Sequence, residues 1–151
     1  MKTQQQWFEQ YAESHRHPTN KRIHNIAVPA IYWSIVALLW SVSVFGINLI
    51  FIVIIPVWGF YARLSQTVFA RMLLFTIACW ALCALLERSL GMLWQWALAV
   101  FVIAWIAQFI GHHLEGKRPS FFTDLAFLLI GPAWIFMGSP TSGQSDAETK
   151  T

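Results

Sequence analysis

The sequence predicts an all-α integral-membrane protein: a helical bundle with four transmembrane helices, a short fifth apolar segment and an N-terminal interfacial helix. Composition supports this class, because 57% of the 151 residues are hydrophobic and only 11% are charged, whereas a soluble domain carries about 25% charged residues. The long runs without charge support it too, since about 20 apolar residues suffice to cross the hydrocarbon core of a bilayer.

The charge-free runs indicate where the chain crosses the membrane. No charged residue and no histidine lies between Ile26 and Ala62, and Gly46 and Asn48 supply the turn chemistry that divides this run into two helices. Two more long apolar runs follow, of which 68–86 contains Arg71 near its start and 92–110 contains no charge. The predicted spans lie near residues 26–44, 48–62, 68–86 and 92–110.

Two shorter segments flank the spans. The apolar segment 125–137 contains Gly131 and Pro132, and its length fits a short tilted span, a re-entrant segment or an interfacial helix. Near the N-terminus, Trp7, Phe8 and Tyr11 recur at helical spacing among charged residues. This pattern is typical of an amphipathic helix that lies among the lipid headgroups.

The chain is expected to form one domain. Its length suits a single compact unit, which we place at residues 1–138 as one membrane-embedded domain. Residues 139–151 are polar, small and aperiodic, so a disordered tail is expected there.

The distribution of basic residues predicts the topology, since short loops rich in Lys and Arg stay on the cytoplasmic side. With a cytoplasmic N-terminus, Arg88 alone among the basic residues before the tail faces the other way. We therefore expect the N-terminus at the cytoplasmic side of a bacterial inner membrane, or of the endoplasmic reticulum in a eukaryote. Topology also accounts for the net charge of +3, so no nucleic-acid partner is predicted. The basic residues placed on the cytoplasmic side are Lys2, Arg16, Lys21, Arg22, Arg63, Arg71, Lys117 and Arg118.

All five histidines fall in two stretches that this topology brings to one face of the membrane. A plain explanation is that histidine tolerates the headgroup region while avoiding lipid. Spacing favours a second explanation, a metal site, because imidazole and carboxylate are suitable ligands for Fe(II). The histidines are His15, His17, His24, His112 and His113.

The spacing of these residues along the chain indicates which of them are candidate ligands. His112 and Glu115 are three residues apart, so a helix presents them on one face. Pro18 suits the first position of a helix, which leaves His17 able to fold back towards the bundle and puts Asn20 and His24 on one face. The predicted ligands of a mononuclear Fe(II) are His17, His24, His112 and Glu115, with the three histidines as catalytic residues.

Further polar residues are expected around these ligands. Asn20 and His113 are predicted to lie beside the ligands, and His15 to lie there or to face solvent. Asp124 either orients a ligand histidine or caps the helix that follows Ser120 and Thr123.

Two stretches resemble the paired signature of a small integral-membrane family, the yeast-type Fe(II)-dependent 2-hydroxy fatty acid dioxygenases. The first reads HPTNKRIHNIAVP, residues 17–29, and the second reads QFIGHHLEGKRPSFFTDL, residues 108–125. The resemblance extends from Tyr11 to about Trp134. One spacing differs, because the family pattern has three residues between the histidine and the acidic residue of the second stretch, where His112 and Glu115 enclose two.

The resemblance implies an enzyme of fatty acid alpha-oxidation that uses Fe(II) and molecular oxygen. Its substrate would be a 2-hydroxy long-chain fatty acid, cleaved to CO2 and the fatty acid one carbon shorter, with the acyl chain held among the spans within the lipid bilayer. Lys117 and Arg118 would attract the anionic head of the substrate, or serve only as a topological anchor. The alternative function is a non-enzymatic membrane protein that binds lipid or metal.

Overall fold

Six helices and one short hairpin make up the part of the chain that the structure, a computed structural model, describes: residues 2–119 and 126–138. The predicted tail, 139–151, and Asp124 lie outside the described residues. The helices are α1 (Gln4–Ala12), α2 (Pro18–Trp40), α3 (Leu49–Leu64), α4 (Gln66–Leu90), α5 (Leu93–Glu115) and α6 (Phe127–Met137), and the hairpin strands are β1 (Ser43–Val44) and β2 (Ile47–Asn48).

Three of the described helices, α2, α4 and α5, are long and apolar enough to cross a membrane. The helix predicted near 48–62 is present as α3, but with 16 residues it is about 24 Å long at 1.5 Å per residue, short of the roughly 30 Å of a hydrocarbon core. The all-α class is confirmed, whereas four spans are not. The fifth apolar segment forms α6, a helix of 11 residues.

The predicted break between the first two apolar helices is a tight antiparallel hairpin. Val44 pairs with Ile47, so Phe45 and Gly46 form a two-residue turn. Both have positive φ, 53° and 81° respectively, as the type I′ turn preferred in hairpins requires. The hairpin reverses the chain, so α3 runs back beside α2.

The central helix of the bundle is α2, which contacts α3, α4, α5 and α6. Its most extensive contact is with α5, and Gly111 of α5 permits a close approach there. A Cβ on Gly111 would lie 2.5 Å from Oδ1 of Asn20, which is fully buried on α2. The two helices that carry the histidine stretches are thereby packed face to face.

Replacing Gly111 by alanine is expected to destabilise the protein by about 1 to 3 kcal/mol, the usual range for overpacking a core. Thermal unfolding in detergent measures the loss. Gly59→Ala is the matched control, because a Cβ at Gly59 of α3 meets none of the described atoms within 4 Å; it should leave the melting temperature unchanged or raise it slightly. Equal melting temperatures for both variants would contradict a tight α2–α5 contact.

The predicted N-terminal helix is confirmed as α1, and it is docked on the bundle through α6. Its buried residues are Trp7, Phe8 and Tyr11, the apolar face that the helical spacing predicts. Thr3 caps its first turn, since the Thr3 hydroxyl accepts a hydrogen bond from the Gln6 backbone N–H. The chain then turns sharply between Ala12 and Pro18, and this turn leads into the candidate site.

Candidate metal centre

Three buried histidines converge at one end of the bundle. His15 comes from the turn after α1, His24 from the second turn of α2 and His112 from the last turn of α5. Each is at most 3% exposed, and their candidate ligand nitrogens all lie within 4.8 Å of one another. Nitrogen ligands lie about 2 Å from a metal ion such as zinc, so a small inward movement would allow all three to bind one ion.

Two of these rings are held in a single tautomer by oxygen acceptors. Nδ1–H of His15 donates to the backbone carbonyl of Tyr11 over 2.7 Å, and Nδ1–H of His24 donates to the side-chain oxygen of Gln108 over 3.1 Å. His15 thus keeps its Nε2 lone pair for another partner, whereas the Nε2 lone pair of His24 accepts a hydrogen bond from the Tyr11 hydroxyl. Burial lowers the pKa of His15 to about 4, so its ring is neutral at physiological pH, the form that binds metals.

Two buried ring nitrogens in the cluster lack hydrogen bonds. Nε2 of His15 and Nδ1 of His112 have no partner within the described ranges 2–119 and 126–138. An unsatisfied buried polar atom costs about 1 to 3 kcal/mol, and such atoms are rare in native proteins unless a ligand meets them. The donor set therefore fits a metal ion that accepts these lone pairs.

Tyr11 supports two of the three histidines. Its carbonyl fixes His15, its ring stacks on that imidazole with 4.4 Å between centroids, and its hydroxyl bonds Nε2 of His24. Burial raises the pKa of Tyr11, so the phenol keeps its proton and its O–H donates a hydrogen bond to Nε2 of His24. Neither Tyr11 nor Gln108 is among the predicted site residues. The sequence signal that could have identified both residues is their spacing, because each precedes a cluster histidine by four residues.

Glu115 does not lie in the histidine cluster. Its two oxygens accept hydrogen bonds from the backbone N–H groups of Arg16 and His17, over 2.9 and 2.8 Å. The Asn20 amide also donates to it over 3.1 Å. The carboxylate therefore ties the turn that carries His15 to the end of α5. The structure places this predicted ligand outside the group of three histidines, among backbone donors of that turn, which fits an anchoring role.

His17, also a predicted ligand, lies at the surface and not beside His24. It is the N-cap residue of α2, and its Nδ1 accepts a hydrogen bond from the Thr19 backbone N–H over 3.2 Å. Pro18 does begin the helix, as predicted. The imidazole that reaches the cluster is instead that of His15, for which the sequence predicts a place beside the ligands or facing solvent.

The remaining predicted site residues take other positions. Asn20 is fully buried and also donates to the Ser14 carbonyl over 3.2 Å. His113 is exposed on the outer face of α5. Lys117 and Arg118 are exposed as well, and Nζ of Lys117 donates to the Glu13 carbonyl over 3.0 Å.

A cavity of about 220 Å³ begins at the histidines and continues into the bundle. Its polar end is formed by Tyr11, Gln108 and the three cluster histidines. The rest is lined by apolar side chains of α2, α3, α5 and α6. The arrangement suits an amphiphile whose polar head contacts the cluster and whose chain lies among the helices.

The chain is similar to known proteins over most of its length. Residues 1–141 match the family model described as Mpo1-like, 2-hydroxy-palmitic acid dioxygenase Mpo1-like. A similar protein of Saccharomyces cerevisiae, named 2-hydroxy-palmitic acid dioxygenase MPO1, is 28% identical over 130 residues, which cover 83% of this chain and 72% of the yeast protein. No solved structure matches significantly.

Proposed function

Because the chain belongs to the Mpo1-like family, we propose that it is an Fe(II)-dependent dioxygenase that shortens 2-hydroxy long-chain fatty acids by one carbon. The family is the one that the two sequence stretches resemble, so that prediction is confirmed. The observation that carries the proposal is the cluster of three buried histidines at the polar end of an apolar cavity.

His15, His24 and His112 would hold the iron, with Nε2 of His24 exchanging its hydrogen bond from the Tyr11 hydroxyl for the metal. Three protein ligands leave coordination positions open, and iron in such a site supplies the activation of molecular oxygen. The surrounding residues hold the imidazoles in place: Gln108 and the Tyr11 carbonyl fix two rings through their Nδ1–H groups. Such partners orient metal-binding histidines and tune their basicity.

The same geometry supports a 2-hydroxy fatty acid as the substrate. Its carboxylate and 2-hydroxyl would lie at the histidine end, which places the bond to be broken next to the metal site, a proximity effect. Its acyl chain would lie in the apolar part of the cavity. Lys117 and Arg118, exposed near this end, would attract the anionic head.

The proposed setting is a bilayer, with three helices able to cross it. The histidine cluster would lie at the cytoplasmic face, because the basic residues near it, including Arg16, Lys117 and Arg118, follow the positive-inside pattern. The substrate would then reach the cavity from the membrane, in which long-chain fatty acids partition.

Oxygen uptake tests the proposal. Purified protein loaded with Fe(II) should convert 2-hydroxypalmitate to pentadecanoate, with one O2 consumed and one CO2 and one H2O formed per substrate. Palmitate, which lacks the 2-hydroxyl, should not be turned over, and a chelator should stop the reaction. Binding of 2-hydroxypalmitate without turnover by the iron-loaded protein would favour the alternative, a non-enzymatic lipid-binding protein.

A further inference from the structure

The cavity follows one face of α2 from the histidines to the opposite end of the helix. Its α2 wall begins at His24, continues through Val28 and Ile35, and ends at Leu39, with lining residues spaced three or four apart. These positions form a single stripe on a helix. From His24 to Leu39 the stripe is about 22 Å long at 1.5 Å per residue.

The end of the cavity farthest from the histidines lies beside the hairpin. Leu39 is the penultimate residue of α2, and Ile50 is the second residue of α3. Both line the cavity, and the hairpin between these helices brings their ends together. Ile50 is only 2% exposed, so its side chain is firmly packed there.

The cavity wall between its two ends is apolar in character. Tyr32 carries a hydroxyl on this stripe, but that hydroxyl is hydrogen-bonded to Oγ1 of Thr76 over 2.7 Å. An occupant therefore meets hydrocarbon along the wall and imidazoles at one end. This chemistry suits a single saturated chain with a polar head.

We propose that Leu39, backed by Ile50, closes the cavity and sets the longest acyl chain that the protein accepts. The inference rests on the proposed function, which places the polar head of the substrate at the histidines and its acyl chain towards Leu39. Half of a hydrocarbon core of roughly 30 Å is spanned by one lipid chain. The stripe of about 22 Å along α2 is thus long enough for a chain of ordinary membrane-lipid length, and a much longer chain would collide with Leu39.

Two substitutions of Leu39 should shift the length preference in opposite directions. Leu39→Trp fills the end of the cavity and should weaken binding of palmitate relative to laurate. Because burying one methylene contributes about 0.8 kcal/mol, the ratio should change about tenfold for every two methylenes excluded from the cavity. Leu39→Ala should improve binding of lignocerate relative to palmitate. Competition binding of these unreactive saturated acids to the full-length protein in detergent measures both ratios.

Leu38→Trp is the matched control. Leu38 is half-buried, as Leu39 is, but it lies outside the cavity lining, so the same added bulk should leave both ratios unchanged. An unchanged length preference in Leu39→Ala, or an equal shift in Leu38→Trp, would overturn the inference. Leu39→Ala remains decisive even where the tryptophan variant does not fold.

The binding assay also separates this inference from the proposed function. Saturated acids need neither iron nor turnover to occupy the cavity. If the protein shows no dioxygenase activity but its length preference still shifts when Leu39 is changed, the length limit stands and the proposed reaction is wrong. If the enzyme is active but its length preference does not change when Leu39 is replaced, the proposed reaction stands and the length limit is wrong.

Discussion

Replacing His15 by alanine is expected to remove the bound iron, whereas replacing His17, two positions along, should leave it in place. His15 is buried in the cluster, with its Nε2 available, and His17 caps α2 at the surface. We expect the Fe(II) affinity of His15→Ala to fall by more than the roughly 100-fold seen when residues around metal ligands are changed. Metal analysis of the purified variants, with oxygen uptake, measures the difference.

The His17 variant is an internal control for folding in the same turn. Loss of its capping hydrogen bond is expected to cost about 0.5 to 2 kcal/mol of stability, so its melting temperature should fall while its iron content stays near that of the wild type. Retention of iron in His15→Ala with loss in His17→Ala would restore the ligand set predicted from spacing.

Replacing Glu115 by alanine is expected to lower Fe(II) affinity about 10- to 100-fold without removing a ligand. The carboxylate accepts the Arg16 and His17 backbone N–H groups, and hydrogen bonds to an ionised acceptor are about twice as strong as neutral ones. Without them the turn that carries His15 loses its tie to α5. Titration with Fe(II) against a competing chelator measures the affinity.

Glu115→Gln distinguishes an anchor from a ligand. Glutamine keeps one side-chain oxygen that can accept a backbone N–H, so an anchoring role predicts an affinity between those of the wild type and Glu115→Ala. A direct metal–carboxylate bond would instead be lost in both variants, with equal loss of iron.

Hydropathy predicts most of the helical layout because burial in lipid demands long apolar runs. The break at the hairpin, the start of α2 at Pro18 and the helix at the N-terminus all follow from local chemistry that the residues display. The helix extends beyond the predicted span near 26–44 at its start, because a charge-free criterion leaves out Lys21 and Arg22, which belong to α2. Polar residues occur in the first turns of a helix that begins outside the hydrocarbon.

The meeting of the two histidine stretches is predictable, but the choice of histidine is not. Positive-inside topology puts both stretches on one face, and His24 and His112 lie together as that topology requires. The choice between His15 and His17 depends on the path of the turn between α1 and α2. Hydrogen bonds from this turn to Glu115 fix that path, and no periodicity of the sequence reports a contact between residues so far apart.

The order in which the cluster histidines are synthesised has a consequence for assembly. His15 precedes every described span, and His112 lies at the end of the last helix long enough to cross the membrane. Translation must therefore pass residue 112 before the third imidazole exists. Under the proposed function, iron would be bound only after the three long apolar helices have been synthesised, and its binding would then join the first of them to the last.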